Sequence, residues 1–160
     1  IFNRKTKEEL RRLGIARGTA SVELNDRELA RIGIEEQVFI AYGYQPVMIS
    51  AGCIQKTSAS CDGKGGVLSI SDRYQKKFAV RRYCRDCYNV MYNSAPLFLA
   101  DKAEEVHALA PAELRLDFTT ESSGQVKEIC HAYTLAFEKG CKTEPPMQDY
   151  TRGHFKRGVK

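Results

Sequence analysis

Apolar and polar positions alternate along this chain in two rhythms, one near 3.6 residues and one near two, and together they predict strands that run into helices. Lys5 to Leu13 is helical in character, with Leu10 and Leu13 on one side and Gly14 as a stop. Thr19 to Leu24 alternates like a strand, and Asn25 is placed to cap a helix from Asp26 to Ile32. Gln37 to Tyr42 carries Val38, Phe39, Ile40 and Ala41 without a break, as a strand buried on both faces would. After Gly43-Tyr44-Gln45-Pro46, Val47 to Ser50 forms a second short apolar run.

From Ala51 to Asn93 Gly, Ser, Lys and Cys dominate. Val67 to Ile70 and Phe78 to Val80 read there as a small antiparallel pair. The rhythm then returns as a strand at Leu97 to Leu99, a helix from Asp101 to Leu109 and a strand from Glu113 to Phe118. A long helix follows from Ser122 to about Phe137, capped by Thr119 or Thr120. Strands that repeatedly lead into helices define an α/β fold with parallel strands. A closed barrel of eight such units needs about 250 residues. With 160 residues the expectation is a partial (β/α) barrel, the C-terminal part of a TIM-barrel-like fold, with a cysteine-bearing loop and hairpin insertion. The expected layout is a single domain over 1–160, a fragment of a longer chain. It has βα units over 1–50 and 94–138, a cysteine-rich insertion over 51–93 and a basic C-terminal segment over 139–160.

At 42% hydrophobic and 28% charged the composition supports a packed core and argues against wholesale disorder. No run approaches the roughly 18 apolar residues of a bilayer span, so no membrane partner is expected. The chain opens on Ile1-Phe2-Asn3-Arg4 with no charged-then-apolar leader, and cytoplasmic residence with reduced thiols is the corresponding expectation. The net charge of +5 is unevenly spread: residues 72–87 hold six Lys/Arg against two acids, and residues 142–160 five against two. Either basic zone suits a polyanion or an anionic ligand, or is simply a solvated face.

Six cysteines stand at 53, 61, 84, 87, 130 and 141. The first four have the spacing C-x7-C-x22-C-x2-C inside the Gly-rich stretch. A C-x2-C pair brings two thiolates to one metal from a single turn, and two more complete a tetrahedral set. Lys and Arg beside Cys84 and Cys87 favour thiolate and offset a negatively charged centre. Zinc and a [4Fe–4S] cluster both accept four thiolates, and packed reduced thiols are the plain alternative. Cys130 falls on the apolar stripe of the long helix with Val126, Ile129, Tyr133 and Phe137 and reads as a core residue, and Cys141 has no role assigned.

The run Tyr42-Gly43-Tyr44-Gln45-Pro46-Val47-Met48-Ile49-Ser50 followed by Cys53 resembles the collagenase-like "peptidase U" family, number thirty-two of the peptidases of unclassified mechanism. The likeness continues through Ser71-Asp72-Arg73, Phe78-Ala79-Val80, Tyr92-Asn93-Ser94 and Leu114-Arg115-Leu116-Asp117-Phe118. It closes on Tyr150-Thr151-Arg152-Gly153-His154-Phe155-Lys156-Arg157-Gly158-Val159, and Ser21-Val22-Glu23-Leu24-Asn25 with Glu28-Leu29 also fits. The resemblance implies an α/β barrel whose N-terminal half, or a partner subunit, is missing here. Some members are named collagen-degrading peptidases. Others take part in oxygen-independent hydroxylation of tRNA or rRNA bases or of ubiquinone precursors. The hydroxylating members carry an iron–sulfur cluster on four cysteines, which match Cys53, Cys61, Cys84 and Cys87, and the RNA-directed ones depend on prephenate. The spacing departs from the better-known members, whose last pair is separated by three residues or by many more.

The peptidase alternative lacks a motif: no helical H-E-x-x-H and no G-x-S-x-G accompanies the three histidines. His107 and His131 read as structural or exposed, whereas His154 sits among Arg152, Lys156 and Arg157 in a Gly-bracketed turn. Those four are the candidate substrate-binding residues, for RNA phosphates or a dicarboxylate such as prephenate. Candidate catalytic residues lie where strands are expected to end, as barrel enzymes place them: Glu23, Arg115 and Asp117; His154 of the C-terminal turn is a further candidate. Arg115 and Asp117 equally suit an ion pair knitting neighbouring strands. Tyr83, Tyr88 and Tyr92 stand near the first basic zone and suit base stacking or packing around the loop. The readings are therefore an iron–sulfur hydroxylation enzyme acting on RNA, a collagenase-like peptidase or its associated domain, and a non-catalytic metal-stabilised RNA-binding module.

Overall fold

The computed structural model describes residues 1–15, 17–58 and 60–158; Val159, the end of the closing run above, lies outside them. In chain order the first elements are α1 (Arg4–Arg12), α2 (Asp26–Ile32), β1 (Val38–Gly43), β2 (Pro46–Ser50), α3 (Ile54–Ser58), β3 (Gly66–Ser71) and β4 (Lys77–Tyr83). Then come β5 (Tyr88–Tyr92), β6 (Leu97–Phe98), a 3-10 turn at Ala100–Lys102, α4 (Ala103–Ala108), β7 (Glu113–Asp117) and α5 (Ser123–Phe137). This is a mixed α/β structure with two sheets, and among the described residues neither sheet closes into a barrel. The chain divides into two compact units, Ile1–Gly43 with Leu97–Lys160, and Tyr44–Pro96. No helix among the described residues is long and apolar enough to cross a membrane.

The first unit is built on the three-stranded sheet β6-β1-β7. β1 runs parallel to β7, from Val38 opposite Glu113 to Gly43 opposite Asp117, with an irregularity between Ile40 and Tyr42. β6 is antiparallel to β1, which departs from the all-parallel expectation. The strand expected over Thr19 to Leu24 contributes only Thr19, bridged in parallel to Val38. Beyond it the Leu24 amide turns back to the Ser21 carbonyl at 3.4 Å, which carries Leu24 into the core. The alternation that suggested a strand there is the alternation of a turn with one inward residue.

Helix starts are set by local side chains. Asn25 and Glu28 form a reciprocal capping box on α2, each bond 2.9 Å long. Ser122 and Gln125 do the same for α5, so the cap is Ser122. Thr119 and Thr120 instead give their amides to the Glu121 carboxylate at 2.6 and 2.9 Å. On α1 the buried side chain is Lys7, whose ammonium donates to the Gly33 carbonyl just past the C-terminus of α2 at 2.6 Å. That is a favourable place for a cation, because the last carbonyls of a helix carry partial negative charge.

Eighteen buried hydrophobic residues of this unit form one cluster, from Ala20 to Phe155, with Leu29, Ala41, Phe98 and Val106 fully inaccessible. Tyr133 of α5 enters it with its hydroxyl satisfied twice: it donates to the Ala41 carbonyl at 2.6 Å and accepts the Leu99 amide at 2.9 Å. Burial pushes this phenol well up from its ordinary value. At Gly43 the β1–β7 approach leaves no room for a side chain: φ is +143°, and a Cβ would fall 2.6 Å from the Asp117 carbonyl oxygen.

The second unit is an antiparallel four-stranded sheet of order β2-β5-β4-β3. The expected antiparallel pair is present as β3 and β4, in register from Gly66 opposite Arg82 to Ser71 opposite Lys77. The run Val47 to Ser50, grouped by the sequence with the βα region, pairs antiparallel with β5 instead. β5 itself, Tyr88–Tyr92, follows the Cys84–Cys87 turn and completes the sheet.

Candidate metal centre

The site is assembled at one end of the β4–β5 hairpin. Tyr83 and Tyr88 are register partners, and their rings stack at 4.6 Å with planes 5° apart. They close a four-residue loop, Cys84 to Cys87, in which the Asp86 amide reaches the Tyr83 carbonyl at 3.2 Å and Cys87 adopts φ +53°. The Cys87 thiol points back at the Cys84 carbonyl, 3.7 Å away. Both cysteines of the C-x2-C pair therefore occupy one tight turn, as ligation from a single hairpin requires.

The other two cysteines are brought to the sheet by a pair of neighbouring side chains. Arg82 and Asn89 stand opposite each other on β4 and β5. Asn89, 2% exposed, donates its amide to the Gly52 carbonyl at 2.8 Å, beside Cys53. Arg82 reaches the Asp62 carboxylate at 3.2 Å, beside Cys61. The same two anchors are each two residues from a hairpin cysteine, Arg82 from Cys84 and Asn89 from Cys87. Within the loop, Thr57 gives both its amide, at 3.1 Å, and its hydroxyl, at 3.0 Å, to the Cys53 carbonyl, which fixes Cys53 at the start of α3. Lys64 donates its amide to Asp62 at 3.0 Å.

The electrostatics reflect this gathering. Desolvation raises the Cys84 thiol above its ordinary value; Arg82 opposes the shift, while Cys61, Cys53 and Asp62 add to it. Cys84 is thus within electrostatic reach of both Cys53 and Cys61. All six cysteines are free, and among the described residues no group of three His, Cys, Asp or Glu side chains is drawn up at metal-ligand distances. The residues nonetheless fit a thiolate-bound centre in kind. The donors are soft, and the Arg82 side chain, 9% exposed, keeps a buried Nε–H without a partner. Such a donor suits a sulfur-rich, negatively charged centre. Sequence reasoning missed Arg82, Asn89 and Asp62. The available signal was their placement, adjacent or nearly adjacent to the cysteines.

The remaining candidates all belong to the first unit. Arg115 and Asp117 form an ion pair along β7, Nε to Oδ1 at 2.8 Å, and Arg115 also approaches the Thr19 hydroxyl at 3.3 Å. Glu23 is exposed in the turn after Thr19. In the C-terminal run, Arg152 is held by Asp101, Nε to Oδ2 at 2.9 Å, which raises its guanidinium pKa further. Lys156 bridges Asp26 at 2.8 Å and Glu105 at 3.4 Å, and the Asp26 bond raises its ammonium pKa. His154 sets Nδ1 3.0 Å from the Gly158 carbonyl, and Arg157 is exposed. Two of the three cations in this run are thus engaged within the fold, and Phe155 between them is anchored in the core at 3% exposure.

Cys130 is half-buried on α5, and the exposed Cys141 directs its thiol to the Lys139 carbonyl at 3.7 Å. No protein-family model, no curated protein and no solved structure matches the chain.

Proposed function

We propose that the chain is the C-terminal part of a peptidase-U-like barrel enzyme that hydroxylates RNA bases without oxygen, using prephenate as co-substrate, and that its Tyr44–Pro96 unit carries an iron–sulfur cluster on Cys53, Cys61, Cys84 and Cys87. The observation that carries the reading is the pair of anchors: Asn89 ties down Gly52 beside Cys53, and Arg82 ties down Asp62 beside Cys61, at the hairpin that bears Cys84 and Cys87. A bound cluster supplies electron transfer. The chain's own part is to hold the thiols near one hairpin end and to set the guanidinium charge of Arg82, whose buried Nε–H is unpaired, within reach of Cys84. The partial-barrel reading is supported by the parallel succession of Thr19, β1 and β7, with α2 between the first two and α5 after the last.

The test is anaerobic purification followed by a visible absorption spectrum and iron, sulfide and zinc analysis. A brown protein with iron and sulfide in equal amounts is expected. Cys84→Ser loses the metal, while Cys130→Ser and Cys141→Ser retain it. Zinc in a colourless protein, or full metal loading in Cys84→Ser, overturns the cluster assignment. Turnover of gelatin without prephenate would move the function to proteolysis.

A further inference from the structure

The charge of this protein is segregated by unit. Tyr44–Pro96 holds eight Lys/Arg against three Asp and no Glu, a net +5, whereas the rest of the chain holds seventeen of each sign. The whole net charge therefore resides on the smaller unit, and its acids are placed away from the strands. Asp62 pairs with Arg82, Asp72 accepts the amides of Tyr74 and Lys76 at 2.8 and 2.9 Å within the β3–β4 turn, and Asp86 lies in the Cys84–Cys87 loop. None of the four strands carries an acid.

The two faces of this sheet differ. Side chains alternate along a strand, so Arg82 and Val80 share one face with Asn89, the face that holds the cysteine loop. Lys77, Arg81 and Tyr83 project to the other, beside Ser71 and Val67, and there Val67 is 47% exposed and Lys77 exposed. One end of β4 leads into a turn that presents Tyr74, 69% exposed, with the Arg73 guanidinium 4.6 Å from its ring centroid. The other end carries the Tyr83–Tyr88 stack. Cations and aromatic rings thus follow one another along a seven-residue strand, on the order of 20 Å, whose own sequence contains no acid.

We infer that this face, from the Arg73–Tyr74 turn along Lys77 and Arg81 to Tyr83 and Tyr88, is a docking surface for single-stranded RNA. The inference rests on the RNA part of the proposed function and gives it a location on the second unit rather than on the C-terminal run. Phosphates are met by the Arg and Lys side chains, and unpaired bases stack on the exposed tyrosine. An acidic peptide would satisfy the charge but has no use for the rings.

The experiment is fluorescence anisotropy of the full chain, purified anaerobically, with a fluorescein-labelled single-stranded oligoribonucleotide over a series of salt concentrations. Tyr74→Ala, in an exposed turn, weakens binding about 5- to 150-fold with the salt slope unchanged. Arg73→Gln with Lys77→Gln flattens the slope by about 1.4, at roughly 0.7 per phosphate contact on a single strand. Arg152→Gln with Lys156→Gln leaves the slope as it is. If only the last pair flattens it, RNA binding stands and the docking surface is overturned. If the wild-type chain does not bind, the RNA part of the function falls and this inference with it, while metal analysis still decides the cluster independently. If poly-glutamate of matched charge displaces the probe as well as unlabelled RNA does, the face reads charge alone and the inference is overturned.

Discussion

Eighteen of the twenty buried hydrophobic residues described belong to the Ile1–Gly43 and Leu97–Lys160 unit, and only Val80 and Tyr92 to the Tyr44–Pro96 unit. The first unit is electrically balanced and closes around an aromatic and aliphatic core. The second carries the net charge, four free thiols and two polar anchors, the buried Asn89 and the partly buried Arg82. A unit of about 50 residues with so thin a core normally needs a cross-link or a metal to hold its shape. The contrast teaches that apolar burial is concentrated in the first unit, whereas the second rests mainly on its antiparallel ladder and on polar ties such as those of Arg82 and Asn89.

The comparison breaks most visibly at the core. Phe98→Ala removes a fully buried ring from the first unit and is expected to cost about 3–5 kcal/mol, read as a lower urea midpoint. Val80→Ala removes less apolar volume from the second unit and costs less. A larger loss for Val80→Ala would show that the small sheet, not the large core, limits stability.

Tyr133→Phe sharpens the picture of the first unit. It keeps the ring packing but leaves the Ala41 carbonyl and the Leu99 amide buried without their shared partner. A loss of about 2 kcal/mol is expected, with faster hydrogen exchange at Leu99. An unchanged exchange rate there would mean that the hydroxyl does not hold α5 to the sheet.

The smallest effect concerns the C-terminal clasp. The Lys156 ammonium bonded to Asp26 holds that carboxyl below its ordinary value. A depressed carboxyl contributes stability above its unfolded value of about 3.9 and loses it as pH falls through the folded value. Asp26→Asn should therefore cost about 1 kcal/mol or less at pH 7, and the difference from wild type should vanish in acid. A difference that persists at pH 2 would assign the loss to packing rather than to the ion pair.

Much of the first unit is legible in the sequence because its signals are local. Asn25 with Glu28 three residues on, the unbroken Val38 to Ala41 run and the stripe of α5 all announce themselves. Thr19 to Leu24 misleads because alternation over six residues fits a turn as well as a strand. The antiparallel sense of β6 depends on where the chain returns, which no local pattern encodes. In the second unit the C-x2-C spacing marks the hairpin turn. The pairing of β2 with β5, and the work of Arg82 and Asn89, depend on cross-strand register and stay hidden until the sheet is drawn. The C-terminal cations read as free charge in the sequence because Asp26 and Asp101, which hold Lys156 and Arg152, are far away along the chain.

Gly43 and Leu97 face each other across the β1–β6 pairing, so the polypeptide leaves the first unit and re-enters it at one rung of the ladder. That arrangement has a consequence for biosynthesis. β1 emerges from the ribosome ahead of both its sheet partners, with the whole Tyr44–Pro96 stretch still to be made. At about 5–20 residues per second the wait is about 3 to 10 s. The hairpins of the second unit draw only on contacts close in sequence and can close during that interval. Phe39, Ala41 and Tyr42, all buried in the finished fold, meanwhile lack the β6 and β7 strands that complete their sheet.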